Sequence, residues 1–283
     1  MRIPGKNRTI LPRRSYFTVS MHHILKRGDR MSTDKEWEKW GKTDPYFGVL
    51  TAPQFRTKNL NDETKKEFFD SGVKDVEHAV DMVKRHIAPA FKPRRALDFG
   101  CGTGRLVIPL AAIANEVVGV DVAESMLECA RANCEERSIR NVSFVQGDDT
   151  LSGIKGSFDF IHSYIVLQHI PPQRGIDIIR RLLSLLDDNG IGVLQVTYAN
   201  WKFTGNFGKP THQLIKRLLR TPKKLVTGIF NHSKEPEMEM NKYDLNQIIF
   251  MMQQAGIRSF FAEYTDHGGE LGAYFCFQKT KRK

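Results

Sequence analysis

Three glycines in alternation, Gly100, Gly102 and Gly104, stand between a short apolar run and an apolar helix, and an acid, Asp121, closes the next apolar run. Glycine leaves no Cβ in the way where backbone must turn sharply and approach a ligand. The helix start behind the loop presents unpaired N–H groups. An acid at the end of the following strand can accept both hydroxyls of a ribose. Each feature alone is a weak signal. Together, at the ends of successive strands, they point to a nucleoside-containing ligand. The dinucleotide pattern G-x-G-x-x-G is not met, because Arg105 occupies the third glycine position, and Asp98 lies just before the cluster. That carboxylate repels a pyrophosphate and attracts a sulfonium or an α-ammonium group. The charge logic therefore favours a ligand like S-adenosylmethionine over NAD. No G-x-x-x-x-G-K-[ST] run occurs, which excludes a P-loop.

The elements that must hold these residues follow from periodicity. Short strands are expected over Ala96–Phe99, Val117–Val120, Val142–Val145, Phe158–Ile161 and Gly192–Thr197, with helices over about 104–114, 123–137 and from Pro171–Pro172 to about Leu186. A helix from about 241 to 255 ends at Gly256, a good C′ residue. Two last strands, about 257–264 and 272–278, flank a loop at His267-Gly268-Gly269 and read as a hairpin, so one strand is antiparallel. This alternation predicts an α/β fold with a doubly wound, mostly parallel sheet. Ahead of it, residues 32–92 form a helical lead-in. Trp37 and Trp40 share a helix face over 33–41, Asp44-Pro45-Tyr46-Phe47 reads as a turn, and residues 62–87 carry one apolar stripe. Residues 1–31 read as a basic flexible tail, and the reading frame could begin at Met1 or Met31. Residues 93–283 are expected to form the main domain, interrupted over 199–237 by a long connection placed as a substrate cap, with short helices near 212–220 and 223–230.

The run Asp98-Phe99-Gly100-Cys101-Gly102-Thr103-Gly104 resembles motif I of the class I S-adenosylmethionine-dependent methyltransferases, D/E-x-G-x-G-x-G, with no departure. The resemblance extends from about Arg95 to the last strand. It implies seven strands in the order 3-2-1-4-5-7-6, strand 7 antiparallel, and S-adenosylmethionine as cofactor. By the same resemblance the loop of Gly100, Cys101, Gly102 and Gly104 passes the methionine and ribose. Asp98 sits near the methionine amine, Asp121 holds the ribose hydroxyls, and Val122 and Met126 lie near the adenine. Asp148 is the partner of the adenine amino group, with Asp149 its neighbour. Cys101 reads as a small space-filler rather than a nucleophile.

The segment after the fourth strand, Ser163-Tyr164-Ile165-Val166-Leu167-Gln168-His169, is placed by the resemblance beside the transferable methyl group, with Ser163 counted among the cofactor contacts. A sulfonium methyl is already electrophilic, so the protein must align the acceptor and exclude water. A hydroxyl acceptor gains from a base, and histidine has a suitable pKa. His169 is the candidate base and Tyr164 the candidate orienting group; His162, inside the strand, reads as structural. Candidate acceptor contacts are Tyr46 and Phe47, on the expected turn, Tyr198 and Trp201, after the fifth strand, and His267 on the last loop.

The net charge of +11 is concentrated in two segments: residues 1–30 carry eight Lys/Arg against Asp29, and residues 199–237 carry eight against Glu235 and Glu237. The remainder is close to neutral, so attraction to an anionic acceptor or to nucleic acid would act through the tail and the connection. The four cysteines form no CxxC pair or metal-ligand spacing, and no apolar run is long enough to span a bilayer. Reduced thiols and a cytoplasmic location are expected. The sequence thus predicts methyl transfer to a small molecule or glycan-like metabolite, at oxygen. Its alternatives are an RNA or other nucleic-acid methyltransferase, although no Asn-Pro-Pro-Tyr-like run follows the fourth strand, and a cofactor-binding module without turnover. An NAD oxidoreductase stands further off. Neither the acceptor nor the oligomeric state is written in these residues.

Overall fold

The computed structural model describes residues 33–201 and 235–280. The expected tail over 1–31, most of the connection over 199–237 and its two short helices lie outside the described residues.

The chain forms a seven-stranded sheet of order β3-β2-β1-β4-β5-β7-β6. Its strands are β1 (Arg95–Phe99), β2 (Glu116–Asp121), β3 (Val142–Gln146), β4 (Phe158–Ser163), β5 (Leu186–Asn200), β6 (Ile257–His267) and β7 (Glu270–Lys279). All neighbouring pairs from β3 to β5 are parallel, while β7 runs antiparallel to both β5 and β6. The expected order and the antiparallel seventh strand are both present. The helices are α1 (33–43), α2 (Pro45–Val49), α3 (Asp62–His86), α4 (Val107–Ile113), α5 (Glu124–Glu136), α6 (Pro172–Leu185) and α7 (Leu245–Gln254).

Side chains alternate across each strand, and the two apolar cores divide along that alternation. Leu97, Val118, Ile161 and Leu194 enter the core under α6 and α7. Their neighbours Ala96, Val117, Phe160 and Val193 enter the core under α3 and α4. Burial on both faces explains why these strands read as continuous apolar runs. α3 is fixed at its start by a reciprocal cap, in which Asn61 Oδ1 accepts the Thr64 N–H and Thr64 Oγ1 accepts the Asn61 N–H. Lys84, Arg85 and His86 in its last turn complement the helix dipole.

Three local expectations change. Asp44-Pro45-Tyr46-Phe47 is not an open turn. Pro45 starts the short helix α2, and the Asp44 carboxylate accepts the Thr57 N–H and pairs with Arg56. α6 runs directly into β5, which is longer than its apolar stretch because residues outside that stretch still pair with neighbouring strands. The last loop is the two-residue turn Gly268-Gly269, both at positive φ (68° and 92°), as a tight hairpin requires. His267 therefore ends β6, paired with Glu270, instead of lying in a loop.

Candidate active site

Beyond the carboxyl ends of β1, β2 and β4 lies a cleft of about 1000 Å³, counted to its open mouth. This is where ligands sit in open parallel sheets. The glycine loop forms its floor, and Trp37 of α1 with Gly48 and Val49 of α2 forms one wall. The absence of side chains on the loop has a steric cause. A Cβ on Gly102, whose φ is +51°, would lie 2.6 Å from Val49 Cγ2, and one on Gly100 (φ +76°) would lie 2.3 Å from Val166 Cγ1. The N-terminal helices and the segment after β4 thus close directly onto the loop. Cys101 also lines the cleft. Burial, then the nearby Asp121 and Asp98 carboxylates, push its thiol well above the usual range, so it packs and does not react. Gly104 faces Ala130 of α5 and is not part of the cleft wall.

Asp121 ends β2 at the rim of the cleft. Its Oδ2 accepts the Gly102 N–H at 2.9 Å and its Oδ1 accepts the Ala123 N–H at 3.0 Å. Each oxygen retains a lone pair for a ribose hydroxyl. Burial pushes its pKa up to about 6 against the lowering effect of those backbone donors. Val122 and Met126 line the same end, Met126 fully buried beside Trp40.

Asp98 lies beneath the loop. Its Oδ1 is 3.0 Å from His162 Nδ1, whose Nε2 is 2.7 Å from the Tyr274 hydroxyl, and its Oδ2 is buried without a hydrogen-bond partner among the described residues. Phe99 and Gly100, the next two residues, line the cleft. The two arginines on the cleft wall are both paired, Arg105 with Asp75 at 2.6 Å and Arg174 with Asp149 at 2.7 Å and Asp34 at 2.9 Å. An unpartnered buried acceptor and two neutralised cations suit a cationic adenosine compound and disfavour a pyrophosphate. On this test the site fits S-adenosylmethionine, with Asp121 on the cleft wall and Asp98 buried directly behind Phe99 and Gly100.

Asp148 and Asp149 both reach the cleft. The Asp148 carboxylate accepts from Thr150 and Ser152, led by the Ser152 hydroxyl, which hold it well below the usual carboxylate range. It thus closes its own turn as well as edging the site. Asp149 serves the Arg174 pair. Ser163 is fully buried and donates to the Phe99 carbonyl at 3.0 Å, so it fixes β4 to β1 away from the cleft.

After β4, Tyr164, Ile165, Val166 and His169 enter the wall. Ile165 has φ +60°, a conformation a β-branched residue adopts only when its surroundings impose it. Tyr164 stays a donor, because burial pushes its phenol up to about 12. His169 Nδ1 lies 2.8 Å from the Glu239 carbonyl, which fixes the proton there and leaves the lone pair on Nε2. Gln168 Nε2 approaches that nitrogen at 3.3 Å, while Gln168 Oε1 accepts the Thr197 hydroxyl at 2.8 Å. Burial lowers the His169 pKa to about 4, so the ring is neutral near pH 7.

The candidate acceptor contacts lie apart from this wall. Tyr46 is buried against Phe68 and Phe69 and donates to Asn133 Oδ1 at 2.8 Å. Phe47 stacks under the Arg56 guanidinium, 3.3 Å from its ring centre, and against Trp40. Tyr198 packs toward Tyr264, and Trp201 is largely exposed beside Gly269. His267 reaches the cleft only through Tyr164, whose ring centre is 5.7 Å away. Sequence reasoning did not single out Asp34, Val49, Ile165 or Arg174 as site residues. Their place depends on helices folding back over the sheet, which no local spacing signals. Among the described residues no His, Cys, Asp or Glu cluster could hold a metal ion, and no helix is long and apolar enough to cross a membrane.

Residues 96–190 match the family model of a methyltransferase domain. The chain is 31% identical over 140 residues to trans-aconitate 2-methyltransferase of Methylobacterium radiotolerans, 49% of this chain and 48% of that protein. It is 28% identical over 169 residues to a 23S rRNA (uracil(1939)-C(5))-methyltransferase of Marinomonas posidonica, 49% of this chain and 37% of that one. The chain thus spans about half or less of these relatives' length. In fold it is similar to magnesium protoporphyrin IX methyltransferase of Synechocystis, solved with S-adenosylhomocysteine, at a TM-score of 0.54 and 20% identity over 92% of this chain and all of that one. The match identifies residues 96–190 as a methyltransferase domain, and the glycine loop, the acid ending β2 and the strand order are in keeping with the class I S-adenosylmethionine-dependent fold.

Proposed function

We propose that this protein transfers the methyl group of S-adenosylmethionine to a small-molecule acceptor, at an oxygen atom. The observation that carries the reading is the pairing of a ribose-holding acid, Asp121, with a narrow cleft whose far wall is Tyr164, Ile165 and His169. Trp37, Gly48 and Val49 wall this space, whose size suits a small acceptor. The relative that acts on trans-aconitate is in keeping with a small acceptor.

Bound in the cleft, the cofactor supplies a methyl group made electrophilic by its sulfonium. The residues of the chain do the rest. Asp121 fixes the ribose, Asp98 faces the amino-acid end, and Tyr164 donates a hydrogen bond to orient the acceptor oxygen. His169, its proton held on Nδ1 by the Glu239 carbonyl, would take up the acceptor's hydroxyl proton on Nε2. The Gln168 amide yields its place at Nε2 as the acceptor enters.

The test is a metabolite panel of hydroxyl- and carboxyl-bearing compounds, read by release of S-adenosylhomocysteine. Cofactor-dependent product from one of them is expected. Cofactor binding with no release from any acceptor would instead favour a binding module. The similarity to an rRNA methyltransferase and the basic charge favour a second reading, methylation of RNA. It predicts oligonucleotide binding that falls steeply with salt.

A further inference from the structure

Asp98 on β1 stands in register with His162 on β4, and both side chains fall on the α3 side of the sheet with Ala96 and Phe160. Tyr274 joins them from β7, reaching across β5, where Val193 pairs with His162 on one side and Cys276 on the other. The three side chains form a continuous chain, with Asp98 1%, His162 0% and Tyr274 2% exposed. The Asp98 carboxylate can only accept, which places a ring proton on His162 Nδ1. With that tautomer Nε2 accepts from the Tyr274 O–H, a phenol that burial, then the neighbouring Tyr164, holds well above its usual range. One tautomer and one carboxylate orientation follow.

That arrangement uses one oxygen of Asp98 and leaves Oδ2 buried with no donor among the described residues. A buried acceptor left so is costly unless something arrives to satisfy it. Arg105 does not: its Nη1 donates to Asp75 and Ser71, and its Nε, also buried, makes no hydrogen bond among the described residues. Phe99 and Gly100, which follow Asp98, line the cleft, so a ligand there is a candidate source.

We propose that His162 and Tyr274 are positioning residues that lock Asp98 with Oδ2 free, so that the site selects adenosine ligands carrying an α-ammonium group. The proposal rests on the cofactor reading above and adds its selectivity. A strand at the far side of the sheet thereby governs which ligand the glycine loop retains.

Calorimetry on the full chain with two probes tests this. S-adenosylhomocysteine carries the ammonium group; 5′-methylthioadenosine shares the thioether nucleoside and lacks the amino-acid end. The wild-type chain should bind the first more tightly. Tyr274→Phe, which keeps the ring and removes the hydroxyl, should weaken S-adenosylhomocysteine roughly tenfold and change methylthioadenosine less than about twofold. His162→Leu should do the same, and His162→Gln, which restores an N–H donor, should recover part of the loss. Methylthioadenosine affinity doubles as the check that the adenosine site is folded, and the His162 pair carries the comparison if Tyr274→Phe does not fold. Equal losses for both probes, or no loss for either, overturn the proposal. Equal wild-type affinity for the two probes also overturns it, while the cofactor reading stands. Wild-type protein that binds neither probe overturns both.

Discussion

Asp121 Oδ2 accepts the backbone N–H of Gly102 at 2.9 Å, so the acid that ends β2 also holds the glycine loop. Burial pushes this carboxyl up to about 6. For an acid raised on folding, the folded state binds the extra proton between the unfolded value near 4 and about 6. Stability therefore falls as pH rises through that window, by about 1–3 kcal/mol. Asp121→Asn should flatten that pH dependence. The same variant should weaken S-adenosylhomocysteine binding by at least roughly tenfold, because an amide offers the ribose fewer acceptors. Unchanged affinity would remove Asp121 from the site.

His169 titrates in the opposite sense. Burial lowers it to about 4, so between about 6.5 and 4 the unfolded chain takes up a proton that the folded chain refuses. Stability should be fully present above pH 6.5 and decline as pH falls toward 4. His169→Asn should blunt this acid sensitivity in urea titrations. With an active acceptor in hand, it should lower kcat by about 100-fold or more with little change in cofactor affinity. Equal kcat would leave His169 a packing residue.

Arg174 on α6 bridges Asp34 of α1 and Asp149 after β3, and all three line the cleft. Removing the guanidinium leaves two carboxylates side by side in a partly buried place. Arg174→Gln should cost about 2–4 kcal/mol in chemical denaturation. It should also weaken cofactor binding, because α1 loses its tie to the sheet. A variant with full affinity and lowered stability would show that α1 closes without this bridge.

Ile165 sits at φ +60° between β4 and the turn that carries His169. Ile165→Gly removes the side chain's objection to that backbone, worth about 1–2 kcal/mol, against a similar entropic loss from the freer unfolded chain. Stability should change by less than about 1 kcal/mol while turnover falls, since the wall loses the residue that orders it. A large loss of stability would place Ile165 among the core residues instead.

Deleting residues 1–30 should leave cooperative unfolding and S-adenosylhomocysteine affinity intact. Loss of either would assign those residues to the fold.

Local sequence determined the sheet and its loop. Apolar runs that alternate into two cores, glycines where backbones converge and an acid after the second strand are all properties of near neighbours in the chain, and they were legible as Ala96–Phe99, Gly100–Gly104 and Asp121. The packing of distant segments decided the rest. Tyr46 and Phe47 read as an exposed pair, yet Pro45 began a helix and Phe68 with Arg56 claimed their rings. His162 read as structural, and only the register of β1 with β4, joined by Tyr274 from β7, made it the partner of Asp98. His169 was legible as a residue type, but its tautomer depends on the carbonyl of Glu239, seventy residues further on. Spacing encodes periodicity and turn chemistry. It cannot encode which far-off group will satisfy a buried donor or acceptor, because that is settled only when the layers close and every polar atom inside must find a partner.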